Sequence, residues 1–268
     1  MPNSAEQPLI TLTTDFGQSD HYVGTMKGVI LSRCPSARIV DLSHQVPAFS
    51  ILAGAYTIDQ AAHYFPPETI HVVVVDPGVG TSRKALLVEA NAMRFVAPDN
   101  GVLSLVAGRY PNLAIRELAN KELFLPGISA TFHGRDIFAA VAGALAAGRA
   151  ESQDVGPELQ LMELLPALHA EFEHGSWHGI VLSVDHFGNI ITNLRSSAFE
   201  SVANQRFQIS INGVAIDSFY PTFGAAPSGV GFAYFGSSGY IELGMNQASA
   251  AAQWDVTSGT PLTLTLGR

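Results

Sequence analysis

The sequence is short of cysteine, of basic charge and of long apolar runs, and each shortage closes off a class of protein. Cys34 is the only cysteine in 268 residues. That excludes an intramolecular disulfide framework and a cysteine-rich zinc site, and makes a reducing cytoplasmic setting the expected one. The 14 Lys and Arg stand against 23 Asp and Glu, for a formal net charge of −9. No basic cluster offers a face to a phosphate backbone, so no nucleic-acid partner is expected. The longest apolar stretch, Ile137 to Ala147, falls well short of the roughly 20 residues a membrane helix needs. The opening residues are polar, with no basic segment leading into an apolar one, so neither a secretory leader nor a membrane partner is expected. Three signatures are missing as well. There is no GxxxxGK, no GxGxxG with a helix behind it and no GxSxG, which removes the usual phosphate cradles and the serine nucleophile elbow.

What remains is a chain with 47% hydrophobic and 14% charged residues, long enough for one large domain or two modest ones. Its organising stretch is HVVVVDPGVGTSRKALLV, His71 to Val88. Four valines after Ile70 and His71 form a run too short for a helix and rich in β-branched residues, which reads as a strand buried on both faces. The run stops at Asp76-Pro77-Gly78. The turn delivers Asp76, and then Arg83, to the carboxyl edge of a sheet, where ligands bind in open α/β folds.

The same strand-to-loop transition occurs earlier, where Leu9 to Thr13 runs into Thr14-Asp15-Phe16-Gly17-Gln18-Ser19-Asp20. Helices are expected over Tyr22 to Leu31 and Ile51 to Tyr64, stopped by Pro35 and by Pro66-Pro67. A strand is expected over Arg38 to Leu42, and a hairpin joins Ala85–Ala90 to Met93–Ala97. A short helix then runs to Ala107, and an alanine-rich one from Ile137 to Ala147 just after His133. This alternation predicts an α/β domain over residues 1–165, with Glu151 to Gly175 read as the connection between domains. From Trp177 the texture changes to short strand-like runs, with Asn212-Gly213 as a hairpin turn. An all-β domain, a small antiparallel barrel or sandwich, is expected over residues 176–268. Asp15, Asp76, His133 and Asp136 include the ligand types a divalent ion takes, but their spacing matches no ligand motif, and no metal is expected.

TTDFG at 13–17, VDPGVGTSR at 75–83, APDNG at 97–101, TFHGRD at 131–136, DHFGNIITN at 185–193 and GSSGYIELGMNQASA at 236–250 occur in this order. Together they resemble the S-adenosyl-L-methionine (SAM) hydroxide adenosyltransferases, or SAM hydrolases, whose superfamily also contains fluorinase and chlorinase. The resemblance covers nearly the whole chain. It implies a Rossmann-like N-terminal domain, a small C-terminal β-barrel and a homotrimer with active sites between subunits. It also implies attack of water at the ribose C5′ of SAM, giving adenosine and L-methionine. SAM is then the substrate, and no cofactor is called for. Asp76, Arg83 and His133 match the family's hydrolytic set. Asp15 matches the carboxylate that takes the ribose 2′- and 3′-hydroxyls. Asp20, Asp185, Ser237 and Ser238 match positions around the methionine amino and carboxylate groups. Asn189 matches an adenine-facing amide, the backbone near Asn246 and Gln247 the adenine edge, and Phe223 a position beside the base. Asp185 and Asn189 could equally build a turn, and Ser237-Ser238 a hairpin loop.

Water is favoured over halide as the nucleophile. The resemblance puts Gly134 where fluorinase has its fluoride-binding serine, and Asp76 and Val79 where it has a tyrosine and a threonine. A carboxylate 4 Å from an incoming anion costs about 4 kcal/mol at an effective dielectric of 20, part of which Arg83 would offset. The loop that fluorinase inserts after this region is absent, Glu89 to Met93 being a tight connection. A chlorinase-like halogenase, a SAM- or adenosine-binding protein without turnover, and a metal-dependent hydrolase are the competing readings.

Overall fold

The computed structural model describes residues 7–166 and 168–267. The chain divides into two compact units, Met1–Leu165 and Pro166–Arg268.

The first unit is built on one mixed sheet of strands β1 (Leu9–Thr14), β2 (Arg38–Ser43), β3 (Ile70–Val74), β4 (Ala85–Ala90), β5 (Met93–Pro98), β6 (Ala114–Glu117) and β7 (Glu158–Leu159). Their order is β2-β1-β3-β5-β4-β6-β7. The first four in that order run parallel, and β4, β6 and β7 pair antiparallel. Every residue of β3 is buried, because helices cover both sheet faces. Val72 and Val74 point into a core shared with Met26 and Ile30 of helix α1 (Tyr22–Arg33). Val73 and Val75 point the other way, toward Ala53 and Ile58 of helix α2 (Ile51–Ala62), as the two-residue period of a strand requires. Ser50 caps α2 through its hydroxyl, which accepts the Ala53 N–H at 3.3 Å. Gly54 lets α2 settle close to the sheet, since a Cβ there would lie 2.9 Å from Val75 Cγ2.

One consequence positions chemistry. β1 and β3 are parallel neighbours with Thr14 opposite Val74, so Asp15 and Asp76 leave the sheet side by side at its carboxyl edge.

The expected hairpin is present: Asn91 and Ala92, at φ 49° and 59°, close β4 and β5 into an antiparallel pair, so the sheet is mixed. Two other expectations need correction. The helix after His133 begins earlier than Ile137: Gly134–Ala139 forms a wide π-helical turn that continues into α4 (Ala140–Ala146). The segment Glu151 to Gly175 is not merely a connection. It supplies β7, which pairs with β6, and β8 (Glu171–Glu173), which pairs with the next strand, β9 (Ser176–Val184). Strands this short carry no readable period in sequence.

The second unit is a single antiparallel sheet. Strands β9 (Ser176–Val184), β10 (Ile190–Arg195), β11 (Phe207–Ile211), β12 (Val214–Ile216), β13 (Gly231–Phe235), β14 (Tyr240–Met245) and β15 (Pro261–Leu266) lie in the order β12-β11-β15-β9-β10-β14-β13. The end strands β12 and β13 approach each other, so the sheet curls into a nearly closed, barrel-like form. Asn212 and Gly213, at φ 44° and 78°, make the expected tight turn between β11 and β12. One short helix, α5 (Ala250–Trp254), is capped by the Ser249 hydroxyl. No helix among the described residues is long and apolar enough to cross a membrane.

Candidate active site

In the first unit the loop after β3 folds back on itself, with the Val79 N–H donating to the Asp76 carbonyl at 3.2 Å. Two neighbours fix it. Asn100, in the loop after β5, donates from Nδ2 to the Val75 carbonyl at 2.9 Å. Gly80 sits at φ 78°, and a Cβ there would stand 2.2 Å from the Ala130 carbonyl oxygen. A side chain at Gly80 would therefore push apart the two loops that carry Asp76 and His133.

Arg83 joins those loops chemically. Its Nε donates to Asp76 Oδ1 at 3.0 Å and its Nη2 to Asp76 Oδ2. The same Nη2 donates to His133 Nδ1 at 2.9 Å. The guanidinium also lies over the Phe138 ring, 5.4 Å from its centroid. The Asp76 and Arg83 side chains are 4% and 10% exposed, so the pair is held in a site largely screened from water. Since an arginine only donates, His133 Nδ1 accepts, its hydrogen is on Nε2, and the imidazole is neutral. Burial, and then the Arg83 charge, hold the His133 pKa below its usual 6.5, against the opposing pull of Asp76 and Asp136.

A cavity of about 40 Å³ opens beside this set, lined by Asp76, His133, Val79, Thr131 and the rings of Phe16 and Phe132. It has room for about one or two water molecules. Gly134 forms part of its wall, and a Cβ there would come within 3.3 Å of Met26 Sδ and 3.4 Å of both rings. Asp136 faces elsewhere. It is 1% exposed and takes Arg135 Nε at 2.5 Å, Arg135 Nη2 at 3.0 Å and the Ser129 N–H at 2.8 Å, which braces the loop carrying His133. Among the described residues no three His, Cys, Asp or Glu side chains are grouped to hold a metal ion.

Asp15 lies close enough to Asp76 for that charge to act on it. Burial first, and then Asp76, raise its pKa, while the amides of Phe49 and of Asp15 itself work against the rise. The Phe49 N–H donates to Asp15 Oδ2 at 2.8 Å. Phe49 itself is 74% exposed and held at φ 67°, a strained conformation for a bulky residue. Asp20 is exposed.

The second unit holds an apolar pocket of about 580 Å³. Four expected residues, Asn189, Phe223, Asn246 and Gln247, line it together with Phe187 and Met245, which the sequence reading did not single out. Asp185 builds the loop beneath. Its Oδ1 accepts the N–H groups of Phe187 at 2.9 Å and Asn189 at 2.8 Å, and its Oδ2 accepts Asn189 Nδ2 at 2.7 Å. Three of its roughly four acceptor positions are thereby taken. The same contact orients the Asn189 amide, leaving Oδ1 as the free end. Gly188, at φ 85°, docks the loop on Ser249, where a Cβ would meet the hydroxyl oxygen at 1.9 Å.

Ser237 and Ser238 lie between β13 and β14. Ser237 is exposed. The Ser238 hydroxyl donates to Glu242 Oε1 at 2.8 Å, and Tyr234 OH donates to Glu242 Oε2 at 2.6 Å. Glu242 was missed from sequence, although a lone carboxylate in the fully buried strand YIELGM was its signal.

The fold and these two sets of residues define a family. The chain belongs to the SAM hydroxide adenosyltransferases: the family's N-terminal domain matches residues 10–156 and its C-terminal domain residues 179–263. A protein of Salinispora tropica named (R)-S-adenosyl-L-methionine hydrolase is 36% identical, the match spanning 98% of this chain and 100% of its relative. A fluorinase of Nocardia brasiliensis is more distant, 27% identical over 98% of this chain and 99% of its own. A solved structure of an uncharacterized conserved protein from Thermotoga maritima superposes with a TM-score of 0.85, at 36% identity, covering 96% of this chain and 99% of that one.

Proposed function

We infer that this protein hydrolyses S-adenosyl-L-methionine, a water molecule displacing methionine from the ribose C5′ to leave adenosine. The observation that carries the reading is the Asp76–Arg83–His133 set bordering a cavity of about 40 Å³. The leaving group departs as a neutral thioether, so the reaction calls for no general acid. What it needs is one water, held in line with the C5′–S bond and kept from bulk solvent. Positioning of this kind can remove roughly 7–11 kcal/mol of barrier. Asp76 has acceptor positions beyond the two that Arg83 occupies, and these orient the water and take its proton as the new C–O bond forms. Arg83 stays protonated throughout and fixes the carboxylate. His133, neutral and bonded to Arg83 through Nδ1, presents its Nε2–H as a donor and completes the set.

The second unit supplies recognition in this reading. Asn189 Oδ1 accepts from the adenine amino group, Phe223 lies beside the ring, and the chain at Asn246–Gln247 meets its edge. Asp15 takes the ribose diol. Asp20, Asp185, Ser237 and Ser238 serve the methionine end. Ser238 spends its hydrogen on Glu242, so it offers that end an acceptor, which suits the ammonium better than the carboxylate. We also read the first unit as Rossmann-like, on its parallel run β2-β1-β3-β5. The family resemblance further supports a homotrimer, which light scattering tests, and the buried, unpaired Cys34 fits a cytoplasmic protein.

Halogenation is disfavoured by the cavity wall, where Asp76 would face the anion with its balancing charge already committed. Sulfonium sulfur is a stereocentre, and the relatives' name specifies the (R) epimer; we take that epimer as the preferred substrate. The test is incubation of each SAM epimer in ¹⁸O-labelled water, with chromatography and mass spectrometry of products. The expected result is adenosine carrying the label at its 5′-oxygen, formed faster from the (R) epimer and undiminished by chelator. Absence of adenosine, or label elsewhere, would overturn the reading.

A further inference from the structure

We propose that His44 is a positioning residue for Asp15, and through it sets the preference for a nucleoside with an intact ribose diol. The proposal rests on Asp15 being the group that holds that diol.

His44 follows β2 and is 2% exposed. Its Nδ1 lies 2.8 Å from Thr14 Oγ1. Its Nε2 lies 3.1 Å from Asp41 Oδ1, obliquely to the ring N–H direction, and Asp41 Oδ2 receives Lys27 Nζ at 2.6 Å. The Asp41 carboxylate beside Nε2 favours the tautomer with its hydrogen there, in which Nδ1 accepts. Thr14 must then donate its hydroxyl hydrogen to Nδ1, which leaves the Thr14 oxygen free to accept the Phe16 N–H, at 3.3 Å. The backbone of His44 holds the next peptide, its carbonyl accepting the Gly17 N–H at 2.8 Å.

One buried residue thus secures the two amides immediately after Asp15, that of Phe16 by its ring through Thr14 and that of Gly17 by its backbone carbonyl. The other side of Asp15 is held by the Phe49 amide. A carboxylate that must meet two neighbouring hydroxyls at once tolerates little displacement, and supporting contacts of this kind set how well it meets them. Reversing the imidazole tautomer would make Nδ1–H and the Phe16 N–H share the Thr14 oxygen and leave the hydroxyl hydrogen without its acceptor. Asp41, paired with Lys27, opposes that reversal from outside the loop.

The experiment measures adenosine and 2′-deoxyadenosine binding by calorimetry for the wild type and for Asp15→Ala, Thr14→Val, His44→Leu, His44→Asn and Asp41→Asn. The wild type should favour adenosine by about tenfold or more, since a hydrogen bond to a charged acceptor is lost with the 2′-hydroxyl. Thr14→Val and His44→Leu should compress that ratio to within about threefold while 2′-deoxyadenosine binds as before. Asp41→Asn should compress it partly, and His44→Asn, which keeps an acceptor near the Nδ1 position, should restore part of it. A wild type without discrimination would sink the Asp15 reading itself. Discrimination lost in Asp15→Ala but intact in Thr14→Val and Asp41→Asn would sink the His44 proposal alone. Equal weakening of both ligands would also overturn it, because that is what a merely structural role produces. Asp41 has 38% of its side chain exposed, so Asp41→Asn gives a folded readout even if His44→Leu does not fold.

Discussion

The two units treat polar groups in opposite ways. In the first, polar side chains converge: Arg83 bonds to both Asp76 and His133, and these two border a space of about 40 Å³. In the second, the pocket is about 580 Å³ and walled by Phe187, Phe223 and Met245, while the nearby carboxylates Asp185 and Glu242 spend their oxygens on their own loops. A small charged cavity suits chemistry on a small nucleophile, and a wide apolar one suits holding a flat ring. If that division is real, substitutions around the small charged cavity should change turnover, and those around the wide apolar pocket should change binding.

The largest effect should come from Asp76→Asn, which keeps shape and removes the charge that orients the water and takes its proton. Turnover should fall by about 10³-fold, within the usual range for losing a positioned base, with SAM affinity nearly unchanged by calorimetry. A wild-type rate would remove Asp76 from the mechanism. His133 gives the same site a pH dependence with a definite sign. Its pKa lies below 6.5 in the folded protein, so the neutral form that accepts from Arg83 prevails above that value. Protonation would turn Nδ1 into a second donor facing Arg83. Activity should therefore hold down to pH 6.5 and fall only below it, and a loss that sets in above pH 6.5 would contradict the arrangement.

How much of this was legible beforehand depended on distance along the chain. Asp76 and Arg83 could be read because seven residues of turn chemistry join them, and β3 could be read from its valines. His133 was placed by family resemblance, since nothing near it in sequence says that Arg83 reaches it. His44 and Glu242 escaped notice because their partners, Thr14 and Tyr234, come from other strands. The motif around Asp185 fits a ligand and a turn alike. Its three hydrogen bonds within the loop show the turn role directly. The π-helical turn at Gly134 was hidden because its winding follows from packing against α1, and the sequence pattern is that of an ordinary helix.

A second contrast lies in the cores and predicts a smaller effect. His71 is buried in β3, with Nδ1 2.7 Å from Thr11 Oγ1, and burial pushes its pKa down to about 4. The second unit buries no histidine among its described residues. Between pH 6.5 and about 4 the unfolded chain takes up a proton that folded His71 refuses, so stability falls as pH falls through that window. The gap corresponds to about 3 kcal/mol at most. Both tryptophans, Trp177 and Trp254, lie in the second unit. Denaturant unfolding at pH 7.5 and pH 4.5, followed by tryptophan fluorescence and by circular dichroism, should show the dichroism midpoint moving more. His71→Leu should flatten that pH dependence. Equal movement of both signals in wild type and variant would mean that the histidine does not set the acid sensitivity.

The smallest effect tests the recognition side of the division. Phe223 is 37% exposed and packs edge-on against Phe232 and Tyr234, at 5.4 and 5.1 Å between centroids. Its neighbours stay in place when it is truncated, so Phe223→Ala should cost the fold little. What it removes is one wall of the pocket, worth about 0.5–1.5 kcal/mol for an aromatic contact, or roughly a threefold to tenfold rise in KM at unchanged kcat. Asn189→Ala should do similar harm by a different route, losing the Oδ1 acceptor and releasing Asp185 Oδ2 from its Nδ2 partner. Adenosine and SAM should weaken in equal proportion in both variants, because the two ligands share the base and differ only at the sulfonium arm. Should kcat fall instead while both ligands bind normally, the apolar pocket would be shaping the reacting centre, and the division between a reacting cavity and a recognising pocket would fail.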